Sequence, residues 1–257
     1  MALALVLGVG VVSVDGLQNL IPKNLFSQNG RPGKSFGSVS SEGLEDDLLQ
    51  AIEELGNENR LSSDNRIQEI VAELEASRSI SQPAISPSVY GRWRLMHTDN
   101  ANTASPIQRK AVSSTAFPIY QDIIVNDDGK LIVSQVVKFT EKNELKVDAL
   151  ASTTAYPLEE LRERKGDGKL LGMNILGVSI VGVEAKEDEN RPNSRIDFVF
   201  DEGKFEFGSD FSIPYPVPFR LPILRDAVKG WIDITYLSER MRISRGNKGT
   251  TFILLKE

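Results

Sequence analysis

Residues 230–257 read GWIDITYLSERMRISRGNKGTTFILLKE, a stretch in which three short apolar runs follow one another. Alternation of apolar and polar residues is typical of β-strands, because successive side chains of a strand point to opposite faces. In the first run, Ile232, Ile234 and Tyr236 share one predicted face. The sequence Gly246-Asn247-Lys248-Gly249 is a turn signal, since Gly and Asn tolerate positive φ. The stretch therefore predicts three consecutive antiparallel strands.

The second and third of these strands differ in how many apolar faces they have. Met241, Ile243 and Arg245 share one predicted face of the second strand. The third strand, residues 250–255, is apolar on both faces. A strand buried on both faces needs core on one side and a covering layer on the other.

Composition excludes several classes of site. The chain has 257 residues, no cysteine and a single histidine, which excludes disulfides, thiolate chemistry and metal sites rich in cysteine or histidine. We therefore expect no metal site. The net charge is −6, and no basic patch is dense enough to follow a phosphate backbone, so nucleic acid is not an expected partner. A hydrophobic content of 40% allows a large core.

The N-terminal residues 1–41 have the composition of a targeting presequence. Residues 1–14, MALALVLGVGVVSV, resemble the apolar core of a signal peptide and are too short for a membrane-spanning helix, which needs about 20 residues. Residues 16–41 are rich in Ser, Gly and Asn, contain three basic residues and lack acidic ones, as in a transit peptide. The alternative is an unstructured tail that happens to begin with apolar residues.

Residues 42–78 change to a helical period and predict a helical hairpin. The two apolar stripes are Leu44, Leu48, Ile52 and Leu55, then Ile67, Ile70, Val71 and Leu74. Each helix also has an acidic face. The hairpin either packs on the main domain or binds a partner or a membrane surface. Residues 79–88 contain Pro83 and Pro87 and are interpreted as a linker.

Residues 89–257 predict a β domain with about eight to ten short strands, as in a barrel or a sandwich. Residues 90–98 alternate and place Trp93, Leu95 and His97 on one predicted face. The apolar residues 170–183 contain three glycines and predict strands with bulges or close backbone approach.

Four segments resemble one protein family in sequence, order and spacing. They are GRWRLMHT at 91–98, SPIQR at 105–109, YQDI at 120–123 and GWIDITYLSERMRISRGNKGTTFIL at 230–254. Together they resemble the plastid lipid-associated proteins, the plastid fibrillins. The resemblance implies a lipocalin-like antiparallel barrel and a plastid location, peripheral to thylakoids or plastoglobules. It also implies an association with carotenoids and prenylquinones.

Nothing in the sequence favours an enzyme. His97 is the only imidazole, and no G-x-S-x-G elbow, phosphate loop or dinucleotide glycine motif accompanies it. Because His97 falls on the predicted face of Trp93 and Leu95, we expect a core histidine. We therefore expect a non-enzymatic protein that requires no cofactor.

Residues 210–227, DFSIPYPVPFRLPILRDA, alternate four prolines with apolar residues. Proline cannot donate a hydrogen bond to a sheet, so we predict an extended segment outside the sheet. This segment is either a loop that plugs the barrel or an entrance lid or lip that touches a membrane.

Two functions are compatible with these features. In the first, the barrel binds a carotenoid, a prenylquinone or an acyl lipid at a thylakoid or plastoglobule surface. In the second, a filled barrel is a structural scaffold that docks on a photosynthetic membrane complex or a lipid droplet. For the first function the predicted ligand-binding residues are Trp93, Phe117, Tyr120, Phe139, Tyr215, Phe219 and Tyr236.

Four polar residues are candidates for barrel closure or for binding a lipid headgroup: Asp233, Arg242, Arg245 and Lys248. The resemblance to lipocalin-like barrels implies an arginine over Trp93 of the G-x-W strand. Either Arg245 or Arg242 is expected to cover Trp93, and Arg245 is the first choice because Arg242 would more easily reach solvent or an acid such as Asp233. Alternatively, Arg245 and Lys248 form an anion site for a headgroup.

Overall fold

The computed structural model describes residues 40–77, 80–99, 117–161, 188–208, 210–225, 228–246 and 249–257. Most of the predicted presequence, residues 1–41, lies outside these ranges. The SPIQR segment, the apolar residues 170–183 and Lys248 also lie outside them, so the predictions made for them stay predictions.

Two helices near the N-terminus confirm the predicted hairpin. Helix α1 spans Ser41–Leu55 and helix α2 spans Asn65–Ser77. The Ser40 hydroxyl accepts the Gly43 N–H at 3.3 Å and caps α1, which ends at Gly56 with φ of 83°. No helix within the described ranges combines the length and the apolar character needed to cross a bilayer.

Within the described residues, nine antiparallel strands follow the helices. They are β1 Gly91–Thr98, β2 Ile119–Val125, β3 Leu131–Lys138, β4 Asn143–Ser152, β5 Arg195–Phe207, β6 Phe211–Pro214, β7 Lys229–Leu237, β8 Met241–Gly246 and β9 Thr251–Lys256. Eight of them close into a ring in the order β1-β2-β3-β4-β5-β7-β8-β9, and β9 pairs with β1 again. Strand β6 pairs with β5 outside this ring. The predicted antiparallel barrel is confirmed.

The strand directions define two ends of the barrel, and we call the end next to residues 80–90 the closed end and the end where β5 turns into β6 the open end. At the closed end, Trp93 of β1 pairs with Lys256 of β9. Residues 80–90, most of the predicted linker, lie there as two short 3₁₀ turns that bury Ala84 and Val89 against the barrel core. The Trp93 Nε1–H donates to the Val89 carbonyl at 2.8 Å. This segment covers the closed end.

The proline-rich segment is partly inside the sheet, which corrects the prediction. Phe211–Pro214 forms β6, and Pro214 lies opposite Lys204 of β5. Proline is tolerated there because β6 is an edge strand with no further neighbour in the described sheet. Pro222–Arg225 then forms one helical turn.

The helical hairpin covers the outer face of β7, β8 and β9. The buried side chains of this contact are Leu48, Ala51, Ile52, Ile67, Val71, Leu74, Tyr236, Met241, Ile243 and Ile253. Strand β9 contributes Phe252 and Leu254 to the barrel core and Ile253 to the helix contact. The expectation of a covering layer outside this strand is confirmed.

Two bulges reverse the direction of side chains that alternation had assigned inward. The register shifts between Ile234 and Tyr236 in β7, and between Leu95 and His97 in β1. A bulge adds a residue to one strand and exchanges the two faces beyond it. Tyr236 therefore packs under the helices, and His97 lines a cavity beside α2. The predicted common face of His97 and Trp93 is wrong.

Candidate ligand-binding site in the barrel

A chain of five aromatic rings runs along β5 and the proline-rich segment. Ring centroids are 5.6 Å apart from Phe198 to Phe200, 5.4 Å from Phe200 to Phe219, 5.9 Å from Phe219 to Tyr215 and 5.8 Å from Tyr215 to Phe205. We call these five residues the aromatic chain. It joins the barrel core to the open end, and it includes two of the predicted ligand-binding residues.

The close approach of Tyr215 to the sheet depends on a glycine. The Tyr215 N–H donates to the Gly203 carbonyl at 2.7 Å. A Cβ at Gly203 would lie 2.8 Å from the Tyr215 Cβ and 2.9 Å from Val147 Cγ2. Only glycine leaves room for the proline-rich segment to lie this close to β4 and β5.

Phe117 and Phe139 form a second aromatic contact at the open end. Their rings meet edge to face at 5.2 Å, and both side chains pack against the barrel core while remaining partly exposed. Phe117 precedes β2 and Phe139 follows β3, which places both at the rim. The prediction that they line the site is compatible with this position.

The open end also carries exposed apolar side chains, and three of them lie in residues 210–227, the segment predicted to be a plug, an entrance lid or a lip. Phe207, Phe211, Ile213 and Leu221 are between 41% and 59% exposed, and we call them the apolar lip. The Gly208 N–H donates to the Lys142 carbonyl at 2.7 Å, which fixes the tip of the β5–β6 hairpin beside the β3–β4 turn. The apolar lip therefore lies at the same end of the barrel as Phe139.

Arg242, not Arg245, covers Trp93. The Arg242 guanidinium carbon lies 4.9 Å from the centre of the fully buried Trp93 ring, and the Lys256 ammonium lies at 5.3 Å. Cations over an indole ring contribute about 0.5–2 kcal/mol. The predicted first choice was wrong because the face that Arg245 shares with Met241 and Ile243 points to the helices, not into the barrel.

Arg242 belongs to a set of buried polar side chains inside the barrel that we call the polar cluster: Arg242, Gln121, Gln135 and Ser244. One Arg242 nitrogen, Nη2, donates to Gln121 Oε1 across the barrel. Arg242 Nε and Nη1, both amide atoms of Gln135 and the Ser244 hydroxyl have no hydrogen-bond partner in the described structure. Burial lowers the pKa of Arg242 to about 9.

The polar cluster could have been found from strand alternation. Gln121 falls in phase with the buried Ile119 and Ile123, and Gln135 falls in phase with Val133 and Val137. A polar residue on a buried face is the informative exception to apolar burial.

Arg245 lies on the outer face and is already paired. Its Nε and Nη2 atoms donate to the two carboxylate oxygens of Glu75 in α2, at 2.8 and 2.9 Å. These hydrogen bonds raise the pKa of Arg245. The charge that a headgroup site would use is therefore balanced by Glu75.

Three other predicted site residues point out of the barrel. Tyr120 lies under Arg92, whose guanidinium carbon is 5.2 Å from the ring centre. Tyr236 donates its hydroxyl to Glu45 at 2.7 Å, in the helix contact. Asp233 accepts two hydrogen bonds from Arg195 at 2.7 and 2.8 Å, rather than pairing with Arg242.

A cavity of about 270 Å³ lies between α2 and the barrel wall. It is lined by Asp64, Ile67, Gln68, Val71, His97, Asp99, Arg245, Thr251 and Ile253. His97 is buried, its Nδ1 atom has no partner in the described structure, and burial lowers its pKa. The described residues contain no group of three or more acidic or histidine side chains placed to hold a metal ion.

Comparisons with known proteins identify a family for this chain. The PAP_fibrillin family model matches residues 42–162 and 179–255. The chain is similar to the probable plastid-lipid-associated protein 12, chloroplastic, of Arabidopsis thaliana, with 38% identity over 215 residues. It is also similar to the chromoplast-specific carotenoid-associated protein of Cucumis sativus, with 27% identity over 209 residues.

The matched regions differ in their share of each protein. The first match covers 82% of this chain and 43% of the Arabidopsis protein, and the second covers 77% of this chain and 62% of the Cucumis protein. The chain thus spans about half the length of these two relatives. A third relative, the probable plastid-lipid-associated protein 1, chloroplastic, of Arabidopsis thaliana, is 24% identical over 254 residues, 86% of this chain and 76% of that protein.

The names of these relatives place them in chloroplasts or chromoplasts, which confirms the predicted plastid location. The family match covers more than half of the chain and includes the nine described strands and the helices α1 and α2, apart from the first residue of α1 and the last residue of β9. The chain belongs to the PAP_fibrillin family of plastid-lipid-associated proteins.

Proposed function

We propose that the barrel binds a hydrophobic small molecule, such as a carotenoid, a prenylquinone or an acyl lipid, at the surface of a thylakoid or plastoglobule. The observation that carries the proposal is the apolar lip beside the aromatic chain, at the open end of the barrel. Exposed apolar patches on a soluble domain mark surfaces that contact lipid or protein. The proposal involves no catalytic step and no required cofactor.

The lip and the aromatic chain would act in sequence. Phe211 and Ile213 would enter the lipid surface, and a hydrophobic molecule leaving the lipid would meet Phe205 and Tyr215 without crossing water. This route explains why the apolar lip and the aromatic chain lie on the same hairpin and on the segment that follows it.

The charges near the lip favour a surface without strong negative charge. Arg220 pairs with Asp201 at 2.6 Å and with Glu202 at 3.0 Å, and Lys204 pairs with Glu206 at 2.6 Å. Balanced charges give little attraction to anionic headgroups. We therefore expect lipid binding that depends on Phe211 and Ile213 and depends weakly on salt.

The alternative function is a scaffold that docks on a membrane complex or lipid droplet and carries no ligand. The burial of Tyr215, Val217 and Phe219 favours it, because these side chains fill the open end from within. Both functions use the apolar lip as the contact surface. They differ in whether a molecule enters the barrel.

The experiment measures lipid and ligand binding on the purified chain. Flotation with phosphatidylcholine vesicles tests whether the apolar lip binds lipid. The double substitution Phe211→Ser and Ile213→Ser should abolish this flotation. Ile124→Ser is the matched control, because Ile124 is 44% exposed and lies toward the opposite end of the barrel. Absorbance of a carotenoid and a quinone after gel filtration tests ligand binding.

The outcomes separate the two functions. Flotation that depends on the lip, together with a ligand that elutes with the protein, supports ligand carriage. Flotation without any bound ligand supports the scaffold. Ligand binding that survives loss of the lip and needs no membrane would contradict the proposed site of entry.

A further inference from the structure

The polar cluster is unusual for the core of a barrel. Arg242 and Gln135 are completely buried and Ser244 is nearly so, and together they leave five polar atoms unpaired in the described structure. All three project from the inner faces of β3 and β8. Buried polar groups are almost always hydrogen-bonded, so each exception calls for an explanation.

Five other arginines of the described structure provide a comparison for Arg242, because each of them has a carboxylate partner. Arg92, Arg195, Arg225, Arg240 and Arg245 each form an ion pair with a carboxylate. Arg242 forms none within the described ranges, although it is the most deeply buried of these arginines. The pKa of about 9 leaves its guanidinium protonated at neutral pH, so an unbalanced positive charge remains in the core.

We propose that the polar cluster binds the carboxylate of a long-chain monocarboxylic acid whose apolar chain extends toward the open end. The inference rests on the proposed function and narrows its ligand to an anionic amphiphile. One guanidinium calls for one negative charge, and the carboxylate oxygens accept hydrogen bonds from Arg242, Gln135 and Ser244. A neutral ester or quinone carbonyl would accept hydrogen bonds but leave the charge unbalanced.

The geometry of the barrel fits a ligand with one polar end. Gln135 lies four residues before Phe139 at the rim, roughly 13 Å along an antiparallel strand. The side chains between these two levels on the inner faces, such as Val137, Leu145 and Val147, are apolar. The polar cluster at depth and the apolar rim therefore match a polar head and an apolar chain.

The experiment compares ligands that differ only in the head group. Oleate, methyl oleate and oleyl alcohol are titrated into the purified full-length chain at about pH 7, with displacement of a fluorescent acyl probe as the readout. We expect oleate to bind about tenfold or more tightly than methyl oleate. Oleyl phosphate is the fourth ligand and separates a carboxylate from a phosphate head group.

Substitutions assign the preference to the polar cluster. Arg242→Gln should reduce oleate affinity about tenfold or more and leave methyl oleate unchanged, whereas Arg245→Gln on the other face of β8 should change neither. Gln135→Leu is the second variant, because it does not remove a charge that supports Trp93. It should weaken oleate binding while raising the melting temperature of the free protein, since it removes two unpaired buried atoms.

Each alternative result is decisive. Equal affinity for oleate and methyl oleate would overturn the carboxylate site and leave the proposed function intact. Tighter binding of oleyl phosphate would overturn the choice of a carboxylate. If no acyl compound, carotenoid or quinone binds, both this inference and ligand carriage are wrong. A lower melting temperature for Gln135→Leu would mean that the free protein already satisfies that amide.

Discussion

The two faces of β8 each carry an arginine, and the two arginines differ in whether a carboxylate balances their charge. On the outer face, Arg245 pairs with Glu75 of α2. In the same helix contact, Glu45 of α1 accepts hydrogen bonds from Tyr236 of β7 and from Arg240, which precedes β8. On the inner face, three residues away, Arg242 has no carboxylate within the described structure. The strand is the same and the arginines are buried to different extents, yet only the outer one has a counter-charge.

This difference indicates which contacts serve folding. A network that satisfies all its polar atoms stabilises the packing of one element on another, as the helical hairpin does on β7–β9. Unsatisfied groups in a native core lower stability and persist at functional sites. The outer face of β8 therefore holds the structure together, and the inner face carries the unpaired polar groups to which we propose that a ligand binds.

The largest expected effect lies on the outer face. Leu48→Ala removes a completely buried side chain of α1 from the helix contact and should reduce the free energy of unfolding by about 2–5 kcal/mol. Denaturant unfolding followed by tryptophan fluorescence measures it. Asp47→Ala, exposed on the same helix, should change the stability by less than about 0.5 kcal/mol. Equal stabilities for the two variants would mean that the hairpin does not support the barrel.

A smaller effect should come from the polar part of the same contact. Tyr236→Phe leaves a Glu45 oxygen without its hydroxyl donor in a buried site, at a cost of about 1–3 kcal/mol. Tyr120→Phe is the control, since Tyr120 lies on the outer wall and is partly exposed. The same loss in both variants would show that the Glu45 hydrogen bond contributes nothing of its own.

Two buried serines sharpen the comparison between paired and unpaired groups. Ser134 donates its hydroxyl to Asp148 at 2.5 Å on the outer side of β3, whereas the Ser244 hydroxyl has no partner in the described structure. Ser134→Ala should cost about 1.5 kcal/mol, because the acceptor is charged. Ser244→Ala should be neutral or slightly stabilising in the free protein. Thermal unfolding of the two variants measures both effects. A comparable loss of stability in Ser134→Ala and Ser244→Ala would show that the paired and the unpaired hydroxyl do not differ in their contribution.

The smallest expected effect concerns pH. Burial lowers the pKa of His97, so the unfolded chain binds a proton on this side chain more tightly than the folded protein does. His97 therefore favours folding above pH 6.5, and this contribution is lost as the pH falls below that value. The slope is at most about 1.4 kcal/mol per pH unit, and His97→Gln should remove it.

The charged groups around His97 set the control for this measurement. Asp64, Asp99 and Arg245 line the same cavity, and the attraction of Asp99 opposes the shift. Melting temperatures are compared from about pH 5 to about pH 7.5 for both proteins. Parallel profiles for the parent and His97→Gln would show that His97 does not titrate differently in the two states.

The barrel and its closure were predictable because they depend on local signals. Alternation within strands and Gly-containing turns predicted the three C-terminal strands, and a closed barrel then required the Trp93 strand to meet the end of the chain. The same alternation failed beyond the bulges. One extra residue in each strand moved Tyr236 and His97 to the outer face, and the residue types at those positions do not predict a bulge.

The assignment of Arg245 failed for another reason. Strand β8 is buried on both faces, so alternation separates Arg245 from Arg242 without showing which of them points inward. The large apolar residues Met241 and Ile243 suggested the interior, yet they face the helices. The apolar stripe of α1 and α2 competes with the barrel core for the same side chains, and sequence alone does not rank the two.

The pairing of β1 with β9 also determines when the structure can form. Residue 93 pairs with residue 256, and both faces of β9 are needed before the barrel and the helix contact are complete. Contacts this distant in sequence make folding slow, because the chain between residues 93 and 256 loses conformational entropy before the contact between them can stabilise the structure. A chain that emerges from its N-terminus would hold the edges of β1 and β8 without partners, and the apolar stripes of α1 and α2 without Ile253, until its final strand arrives. Such unpaired edges pair readily with other chains. Because β1 and β9 complete each other's hydrogen bonding, protection of β1 amides from hydrogen exchange should appear together with protection of β9 amides.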